Sequence, residues 1–508
     1  MKRRALSFLL SCGLISLSVL PLRAQIRSVP VSPLPLSLSA PPVQSFQGIS
    51  VSPFAAASFV PTILPVTLTA SPEMPVSPAV FAGPSAAQAL GALSADSPAG
   101  APALDGLSAG RLVFDGAALS GSQALPAAQP EPAAAPRGET LEFNDQVLPT
   151  RMFSDKTKIS PFLIRAIDAT KTTLEIAIYE LAIREVGEAL QRAKDRGVRV
   201  RIVMDQTHLF PEKKGQRRSP EVQALLDEGF ELKMLHGGDM HGLMHNKFAL
   251  FDGALLETGS YNWARAADDQ HHENALFLNE ADRLASYGRY WDWLWSQAKP
   301  VNDKKAPSAP VAGPHGHGPD LPPAPQDLER PIRFNEARLP LQAFTPKGTA
   351  ALIASAIDAA RQSVVIANFS FTNDVLIQAL RRAKDRGVKI RIVFDRDQYK
   401  FLKEMAEMRA LGFDVRLSDG KSQGRGVMHN KFAVFDGRLV ETGSFNWTTN
   451  GERNNYENAL FLDAPDDAAG FAAYFERLWG RASPATDADH PSRIDPAEHP
   501  EGFNPHAF

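Results

Sequence analysis

Two copies of one residue pattern carry the chemistry of this 508-residue chain. Residues 245–263 read HNKFALFDGALLETGSYNW, and residues 429–447 read HNKFAVFDGRLVETGSFNW, so 15 of 19 positions are identical. Each copy contains a histidine, a lysine two residues later, and a Gly-Ser-x-Asn sequence near its end. Two imidazoles, two ammonium groups and two amides, supplied as a matched pair, suit one task. They can bind a phosphodiester and attack it.

The histidine and the lysine of each copy are predicted to act side by side. Residues i and i+2 of a strand share a face, so His245 should point the same way as Lys247, and His429 as Lys431. A neutral imidazole can attack phosphorus and form a phosphohistidine. A protonated imidazole from the other copy can donate a proton to the leaving oxygen, and we expect it to activate water afterwards. The two histidines should therefore titrate as a coupled pair.

The remaining polar residues of the motif are predicted to stabilise the negative charge on the reacting phosphate. Lys247 and Lys431 neutralise the non-bridging oxygens, and Asn262 and Asn446 donate hydrogen bonds as negative charge develops. Because two ammonium groups take the place of the usual cation, the sequence predicts no metal ion and no other cofactor.

A Glu-Asn pair follows each copy at a constant distance. Glu273 and Glu457 each lie 28 residues after the histidine of their copy, although the sequence between them diverges. We expect each carboxylate to accept a hydrogen bond from the His ring and so to select its tautomer.

Aspartate and serine residues of the motif are interpreted as supporting residues. The strand Lys247–Phe251 is predicted to turn at Asp252, and Asp436 occupies the same place in the second copy. Holding this turn explains each aspartate at least as well as a direct chemical role does. Ser260 and Ser444 are predicted to cap or orient the loop that carries the asparagine.

Sequence similarity between the two halves extends well beyond the motif. AIDATKTTLEIAIYE matches AIDAARQSVVIANFS, and ALQRAKDRGVRVRIVMD matches ALRRAKDRGVKIRIVFD. In the first half, predicted strands Thr173–Tyr179 and Val198–Met204 flank a helical pattern, Glu185–Arg196, that ends at Gly197. Alternating strands and helices predict an α/β sandwich in each half. Two such lobes should pack about a pseudo-twofold axis, with the motifs facing each other across it.

The repeated spacing His-x-Lys-x4-Asp-x6-Gly-Ser-x-Asn resembles that of the phospholipase D superfamily. The resemblance covers about 340 residues, and neither copy departs from the pattern. It implies a phosphoric diester hydrolase of the phospholipase D-like fold, one active site shared by both lobes, and a phosphohistidine route. It also implies that the N-terminal histidine, here His245, is the nucleophile. Because one chain supplies both halves of the site, a monomer suffices and no protein partner is required.

The composition of the chain predicts the boundaries of its segments. Residues 1–24 have the features of a signal peptide, which predicts a secreted or periplasmic protein, or an anchored one if the signal is not cleaved. Residues 25–139 are predicted to be a disordered Pro/Ala/Ser-rich stalk, since 28–104 contain 14 prolines and two charged residues. Lobe 1 is assigned to 140–299 and lobe 2 to 331–482. The remaining segments are a Pro-rich linker at 300–330 and a polar tail at 483–508. The one cysteine, Cys12, lies in the signal, so no intramolecular disulfide is expected.

The substrate class remains open between three alternatives. Export, the two-lobe single chain and a net charge of −3 favour phospholipid head groups, with peripheral contact to a membrane. Short lobes, the motif endings HHENALFL and NNYENALFL, and a basic loop of lobe 1 favour a nuclease. That loop contains Lys213, Lys214, Arg217 and Arg218. A transferase such as a cardiolipin synthase is the third alternative, disfavoured by the lack of membrane spans. Phospholipid hydrolysis is preferred.

Lobe 1 contains two further groups of residues, of which the polar group lacks counterparts in lobe 2. The polar group consists of His236, Asp239, His241, His271 and His272. A polar loop is preferred over a metal site here because the spacing is not that of zinc ligands. The aromatic group consists of Trp291, Trp293 and Trp295. For these side chains, core packing or contact between the lobes is preferred over insertion into lipid.

Overall fold

The computed structural model describes residues 135–211, 218–239, 241–301, 321–326, 331–346, 348–421 and 426–490. The predicted signal, nearly all of the stalk, most of the linker and the end of the tail lie outside these residues, as do Cys12 and three basic-loop residues, Lys213, Lys214 and Arg217. The described residues belong to one compact unit of the chain, Ser120–Phe508.

Strands and helices alternate through the described part of lobe 1. Its strands are β1 (Thr140–Phe143), β2 (Gln146–Pro149), β3 (Arg151–Phe153), β4 (Thr173–Ile178), β5 (Leu181–Ala182), β6 (Arg199–Asp205), β7 (Glu231–Leu235), β8 (Lys247–Phe251), β9 (Leu255–Gly259), β10 (Trp263–Ala264), β11 (Asn274–Leu278) and β12 (Lys299–Pro300). Its helices are α1 (Ser160–Ala169), α2 (Arg184–Asp195), α3 (Gln206–Leu209), α4 (Pro220–Asp227), α5 (Arg265–Asp269) and α6 (Ala281–Gln297).

Lobe 2 repeats this succession. Its strands are β13 (Ile332–Phe334), β14 (Ala337–Leu339), β15 (Gln342–Phe344), β16 (Ser363–Asn368), β17 (Lys389–Asp395), β18 (Asp414–Ser418), β19 (Lys431–Phe435), β20 (Leu439–Gly443), β21 (Asn458–Leu462) and β22 (Ser483–Pro484). Its helices are α7 (Thr349–Ala359), α8 (Asp374–Asp385), α9 (Arg396–Phe401), α10 (Lys403–Ala410), α11 (Thr449–Arg453) and α12 (Pro465–Arg481), followed by a 3-10 turn at Asp487–Asp489.

Each lobe is built on one mixed sheet of eight strands. The order is β12-β7-β6-β4-β8-β9-β11-β3 in lobe 1 and β22-β18-β17-β16-β19-β20-β21-β15 in lobe 2, which is the same arrangement. The pairs β4–β6 and β6–β7 are parallel, whereas β8 runs antiparallel to β4 and to β9. The predicted fold class, two similar α/β lobes, is confirmed. The motif strands β8 and β19 lie in the middle of their sheets.

The outer face of each sheet is covered by amphipathic helices. In α2, Val186, Ala189, Leu190 and Ala193 are buried, and this spacing forms one apolar stripe along the helix. The helix ends before Gly197, whose φ of +87° is the left-handed conformation that glycine adopts at low cost. The predicted helix is confirmed, with each end shifted by one residue.

The inner faces of the two sheets contribute to one shared apolar core. It includes Phe248 and Tyr290 from lobe 1 and Phe432 and Tyr474 from lobe 2. Tyr290 also stacks on Phe344 of lobe 2, with ring centroids 3.9 Å apart. Burial of large aromatic rings against one another gives this interface much of its stability.

The tryptophans of α6 pack as predicted. Trp291 is buried in the shared core, and Trp293 packs against it and contacts the ring of Tyr456 from lobe 2. Trp295 stacks on Trp291 at 5.1 Å. Among the described residues, no helix is both long and apolar enough to cross a membrane.

The motif aspartate anchors a hairpin turn. Between β8 and β9, Asp252 and Gly253 have φ of +52° and +62°, the backbone of a tight hairpin turn. The Asp252 carboxylate accepts hydrogen bonds from the backbone amides of Lys171, Thr172 and Thr173, at 2.9, 2.7 and 3.1 Å. Partial burial opposes ionisation, but these amides hold the pKa of Asp252 below its ordinary value. The structural interpretation of this aspartate is therefore supported.

Asp436 makes the equivalent contacts in lobe 2. Its carboxylate accepts from the backbone amides of Arg361, Gln362 and Ser363, at 2.9, 2.7 and 3.0 Å. In both lobes the aspartate fastens the motif hairpin to the loop that enters the neighbouring strand, and thereby fixes the position of the motif strand.

We predict that Asp252→Ala lowers stability without removing a catalytic group. Three backbone amides would lose a charged acceptor, so the free energy of unfolding should fall by about 1–3 kcal/mol. Urea unfolding measures this loss, and kcat is then compared well below the unfolding transition, with Asp436→Ala as the matched variant. A loss of kcat by more than about 100-fold at unchanged stability would instead indicate a chemical role.

Candidate active site

The histidine and lysine of each motif are buried at the start of the central strand. Lys247 begins β8 and Lys431 begins β19, and both side chains are fully buried. Each lysine Nζ donates a hydrogen bond at 2.6 Å to the backbone oxygen of the histidine two residues earlier, His245 or His429. His245 is 0% exposed and His429 is 4% exposed. The local spacing therefore fixes each ammonium group beside its imidazole.

Each histidine is held by the glutamate of the other lobe. Nδ1 of His245 lies 2.8 and 2.9 Å from the carboxylate oxygens of Glu457, and Nδ1 of His429 lies 2.8 Å from Oε1 of Glu273. The expected His–Glu hydrogen bond is present, and it joins the histidine of one motif copy to the glutamate of the other. A carboxylate acceptor at Nδ1 favours the proton there and leaves Nε2 as the reactive nitrogen.

Backbone pairing between the lobes explains this exchange. The amide of His245 donates to the oxygen of Tyr456 at 3.0 Å, and the amide of His429 donates to the oxygen of His272 at 3.0 Å. The residue before each glutamate is thus hydrogen-bonded to the opposite histidine. Since the glutamate is the next residue along the chain, its carboxylate reaches the ring of the other lobe.

The motif serines orient the glutamates. The hydroxyl of Ser260 donates to Oε2 of Glu273 at 2.6 Å, and that of Ser444 donates to Oε2 of Glu457 at 2.7 Å. Each hydroxyl also accepts from the backbone amide after the glutamate, at 3.0 Å in both lobes. The serines therefore connect the loop that carries the asparagine with the carboxylate that holds the opposite histidine.

The motif asparagines keep buried polar atoms without a hydrogen-bond partner. Within the described residues this holds for Oδ1 of Asn262 and for both Oδ1 and Nδ2 of Asn446. Asn446 is fully buried and Asn262 is 7% exposed. Unpaired buried amides destabilise a fold and are retained mainly where function uses them. The unpaired Nδ2 of Asn446 is suited to donate a hydrogen bond to a bound anion, whereas the unpaired atom of Asn262 is an acceptor.

Asparagine side chains form a further pair of matched contacts between the lobes, which the sequence analysis missed. Nδ2 of Asn274 donates to Oδ1 of Asn430, and Nδ2 of Asn458 donates to Oδ1 of Asn246, both at 2.9 Å. The signal was present in the repeated His-Asn-Lys and Glu-Asn sequences, whose asparagines are shared by both copies. Each contact joins the first residue of β11 or β21 in one lobe to the residue that precedes the motif strand of the other lobe.

Two buried aspartates, Asp205 and Asp395, were also missed by the sequence analysis. Asp205 accepts a hydrogen bond from the amide of Met244 at 2.8 Å, and Asp395 accepts from the amide of Met428 at 2.9 Å. Each methionine immediately precedes the motif histidine. The available signal was the aspartate that closes both RIVMD and RIVFD in the repeat. These carboxylates position the chain segment that leads into each histidine.

The polar residues ahead of the first motif contact the other lobe. Oδ2 of Asp239 accepts a hydrogen bond from Asn454 at 2.9 Å, and the carboxylate also accepts from the amide of His241. Among the described residues, no group of three or more His, Cys, Asp or Glu side chains is arranged to hold a metal ion.

Burial governs the electrostatics of both histidines and both lysines. It lowers the pKa of His245 well below the ordinary value and that of His429 to about 3, and the nearby lysines act in the same direction. Burial also lowers the pKa of Lys247 to about 8 and that of Lys431 well below its usual range. A bound phosphodiester anion would favour the charged form of all four groups.

The two carboxylates differ in their titration. Burial raises the pKa of Glu457 to about 7. Burial opposes the ionisation of Glu273 as well, but His429 and His271 outweigh it and lower the pKa of Glu273 to about 2. The two halves of the site are therefore alike in geometry and unequal in charge.

The match to a known protein family has one segment in each lobe. A family model described as "Cardiolipin synthase, PLD-like domain" matches residues 163–295 and 353–479, which together make up half of the chain. The chain belongs to the phospholipase D superfamily. Both matched segments contain a complete motif.

Individual relatives match about the length of one lobe. The human mitochondrial cardiolipin hydrolase is 37% identical over 143 residues, 27% of this chain and 55% of that protein. A phospholipase D of Rickettsia felis is 34% identical over 122 residues, 24% of this chain and 59% of that protein. The chain thus spans little more than half the length of these relatives. The crystal structure of a phospholipase D family member, Nuc from Salmonella typhimurium, is 30% identical, with a TM-score of 0.26, over 29% of this chain and 97% of that one.

We predict that Glu273→Gln lowers kcat by about 100-fold or more and changes KM little, because an amide cannot stabilise an imidazolium as a carboxylate does. Glu457→Gln is the matched variant in the other lobe. Selective ¹⁵N labelling of the histidines tests the exchange between lobes. The ring signal of His429 should respond to Glu273→Gln and that of His245 to Glu457→Gln, and the opposite assignment would contradict the structure.

We predict that activity and stability change in opposite directions above pH 8. The pKa of Lys247 is about 8 in the folded protein, below the ordinary value of 10.5, so its ammonium group is lost in this range and kcat/KM should fall. The unfolded chain binds more protons there, so the free energy of unfolding should rise with pH, by up to about 3 kcal/mol for this group. Lys247→Met should reduce this rise, since Lys431 contributes the remainder, and a rise unchanged in that variant would contradict the assignment.

Proposed function

We propose that the protein hydrolyses phospholipid head-group esters through a covalent phosphohistidine on His245. One observation supports this most strongly. Two buried histidines are each held at Nδ1 by a carboxylate from the opposite lobe, beside two buried ammonium groups. This arrangement supplies a nucleophile and a proton donor without a metal ion.

In the first step, Nε2 of His245 attacks phosphorus and a P–N bond forms. The bond from phosphorus to the leaving alcohol breaks, and His429 donates a proton to the departing oxygen. In the second step, the neutral His429 takes a proton from water. The hydroxide attacks phosphorus, the P–N bond breaks, and His245 returns to its neutral state. Proton transfers balance over the cycle, and the glutamates stabilise each imidazole when it is charged.

The lysines and asparagines stabilise the transition state. Lys247 and Lys431 face the charge on the non-bridging oxygens, and the amides of Asn262 and Asn446 donate further hydrogen bonds. Because all four side chains are almost completely buried, water screens these interactions weakly and each is stronger than it would be at the surface.

A lipid substrate is supported by the relatives and by the charge of the chain. Proteins named cardiolipin hydrolase and phospholipase D match single lobes at 37% and 34% identity. The net charge is −3, and residues 140–299 contain 21 Lys/Arg against 24 Asp/Glu, which is unfavourable for a polyanion. Of the predicted basic loop, Arg218 is described, and its guanidinium donates to the backbone oxygen of Leu209.

Export to the periplasm or the medium completes the proposal, in which the monomer contacts the membrane peripherally.

We predict metal-independent lipid hydrolysis that requires both histidines. The full chain is incubated in EDTA with phosphatidylcholine and cardiolipin vesicles and, in parallel, with single- and double-stranded DNA. Release of phosphatidic acid is expected for the wild type and for His490→Asn, a control outside the site. It should be absent for His245→Asn. Because His429→Asn cannot activate water, intact-mass analysis should show a phosphoryl adduct in that variant with an activated diester substrate.

Three results would contradict parts of this proposal. Full activity of His245→Asn would exclude it as the nucleophile. Complete loss of activity in EDTA would exclude the metal-independent route. Cleavage of DNA and not of lipid by the wild type would identify the chain as a nuclease.

A further inference from the structure

One position breaks the symmetry between the two carboxylates. Asn455 lies two residues before Glu457 and donates a hydrogen bond to its Oε1 at 3.1 Å. The equivalent residue in lobe 1 is His271, two residues before Glu273. Nδ1 of His271 lies 3.9 Å from Oε1 of Glu273, the same oxygen that faces His429. An amide carries no proton that it can lose or gain near neutral pH, whereas an imidazole does.

His271 is placed to affect His429. The two ring centroids are 6.0 Å apart, and the side chain of His271 is 22% exposed, so solvent protons reach it. A protonated His271 would repel a protonated His429 and would compete with it for the charge of Glu273. The buried Lys431 adds a further positive charge beside this carboxylate.

A second departure from symmetry lies next to the first. Glu180 follows β4 in lobe 1, where lobe 2 has Ser370. The half-buried carboxyl of Glu180 interacts electrostatically with His271, Lys247 and Glu273, and burial raises its pKa. Lobe 1 therefore carries both an additional imidazole and an additional carboxylate that interacts with it.

We propose that His271 is a positioning residue that acts through Glu273 and sets the proton affinity of His429. The proposal rests on the proposed function. It makes the His429 half of the site, which supplies the proton to the leaving group, responsive to pH. The His245 half, whose carboxylate is held by Asn455, is not responsive in this way. The effect of His271 on His429 involves the binding of protons alone, and no other bond forms or breaks. A proton bound at His271 weakens the binding of a proton at His429.

The test compares His271→Asn, which places the residue of lobe 2 at the equivalent position of lobe 1, with the reciprocal variant Asn455→His. In His271→Asn, the alkaline limb of the kcat profile on phosphatidylcholine, which reports the protonated His429 of the enzyme–substrate complex, should move to higher pH by about 0.5 to 2 units, from the interaction of two charges about 6 Å apart. With bis(p-nitrophenyl) phosphate, whose leaving group departs without a proton, this limb should not move. In Asn455→His, the affected limb should be the acidic one, which reports the neutral form of His245.

A measurement without substrate separates the two proposals. Titration of the ¹⁵N-labelled ring of His429, assigned with His429→Asn, should show a higher proton affinity in His271→Asn than in the wild type. If the wild type hydrolyses neither diester but this difference is present, the proposed function fails and the role of His271 stands. If the wild type is active and His271→Asn lowers kcat equally at all pH values, with an unchanged His429 titration, His271 is structural and the inference is overturned.

Discussion

The hydrogen bonds between each motif histidine and the glutamate of the opposite lobe are the contacts on which the proposed site depends. Glu457 holds His245, and Glu273 holds His429. Neither lobe contains a complete His–Glu pair, so the orientation of each imidazole depends on how the lobes dock. A small rotation of one lobe would break both pairs at once. The shared aromatic core therefore serves the chemistry directly, because it fixes the distance between each ring and its carboxylate.

Burial of this many charged groups requires compensation from the rest of the fold. Lys247, Lys431, Glu273 and Glu457 are all fully buried, and transfer of isolated charges out of water is strongly unfavourable. Part of the compensation comes from the mutual attraction of these groups, and part from hydrogen bonds to the serines and to backbone atoms. The remainder comes from large apolar contacts between the sheets, such as Tyr290 on Phe344. The lowered pKa values of the lysines show that this compensation is incomplete, which is favourable for a site that must bind an anion.

The sequence allowed most local features to be predicted, because they depend on short spacing. The strand of Lys247, the Asp-Gly turn and the helix ending before Gly197 each follow from a few consecutive residues. The partner of each glutamate could not be predicted in this way. Two nearly identical copies present the same histidine at the same spacing, and only docking of the lobes determines which one the carboxylate meets. The roles of Asp205 and Asp395 required knowledge that the end of one strand lies beside the residue before a histidine.

Duplication within one chain has a consequence that a pair of identical subunits would not have. Because each half is a separate segment of the chain, each can change without the other. The proposed reaction uses unequal halves, since in it one histidine attacks while the other donates a proton. Most of the motif remains matched, as expected if each half binds its share of one phosphate group in the proposed reaction. Two of the differences between the lobes lie near the carboxylates, at His271 against Asn455 and at Glu180 against Ser370. A change at these positions alters proton affinity and leaves the histidine, lysine and asparagine in place. The geometry of the site is thus maintained by symmetry, and its acid–base chemistry is adjusted where the symmetry is broken.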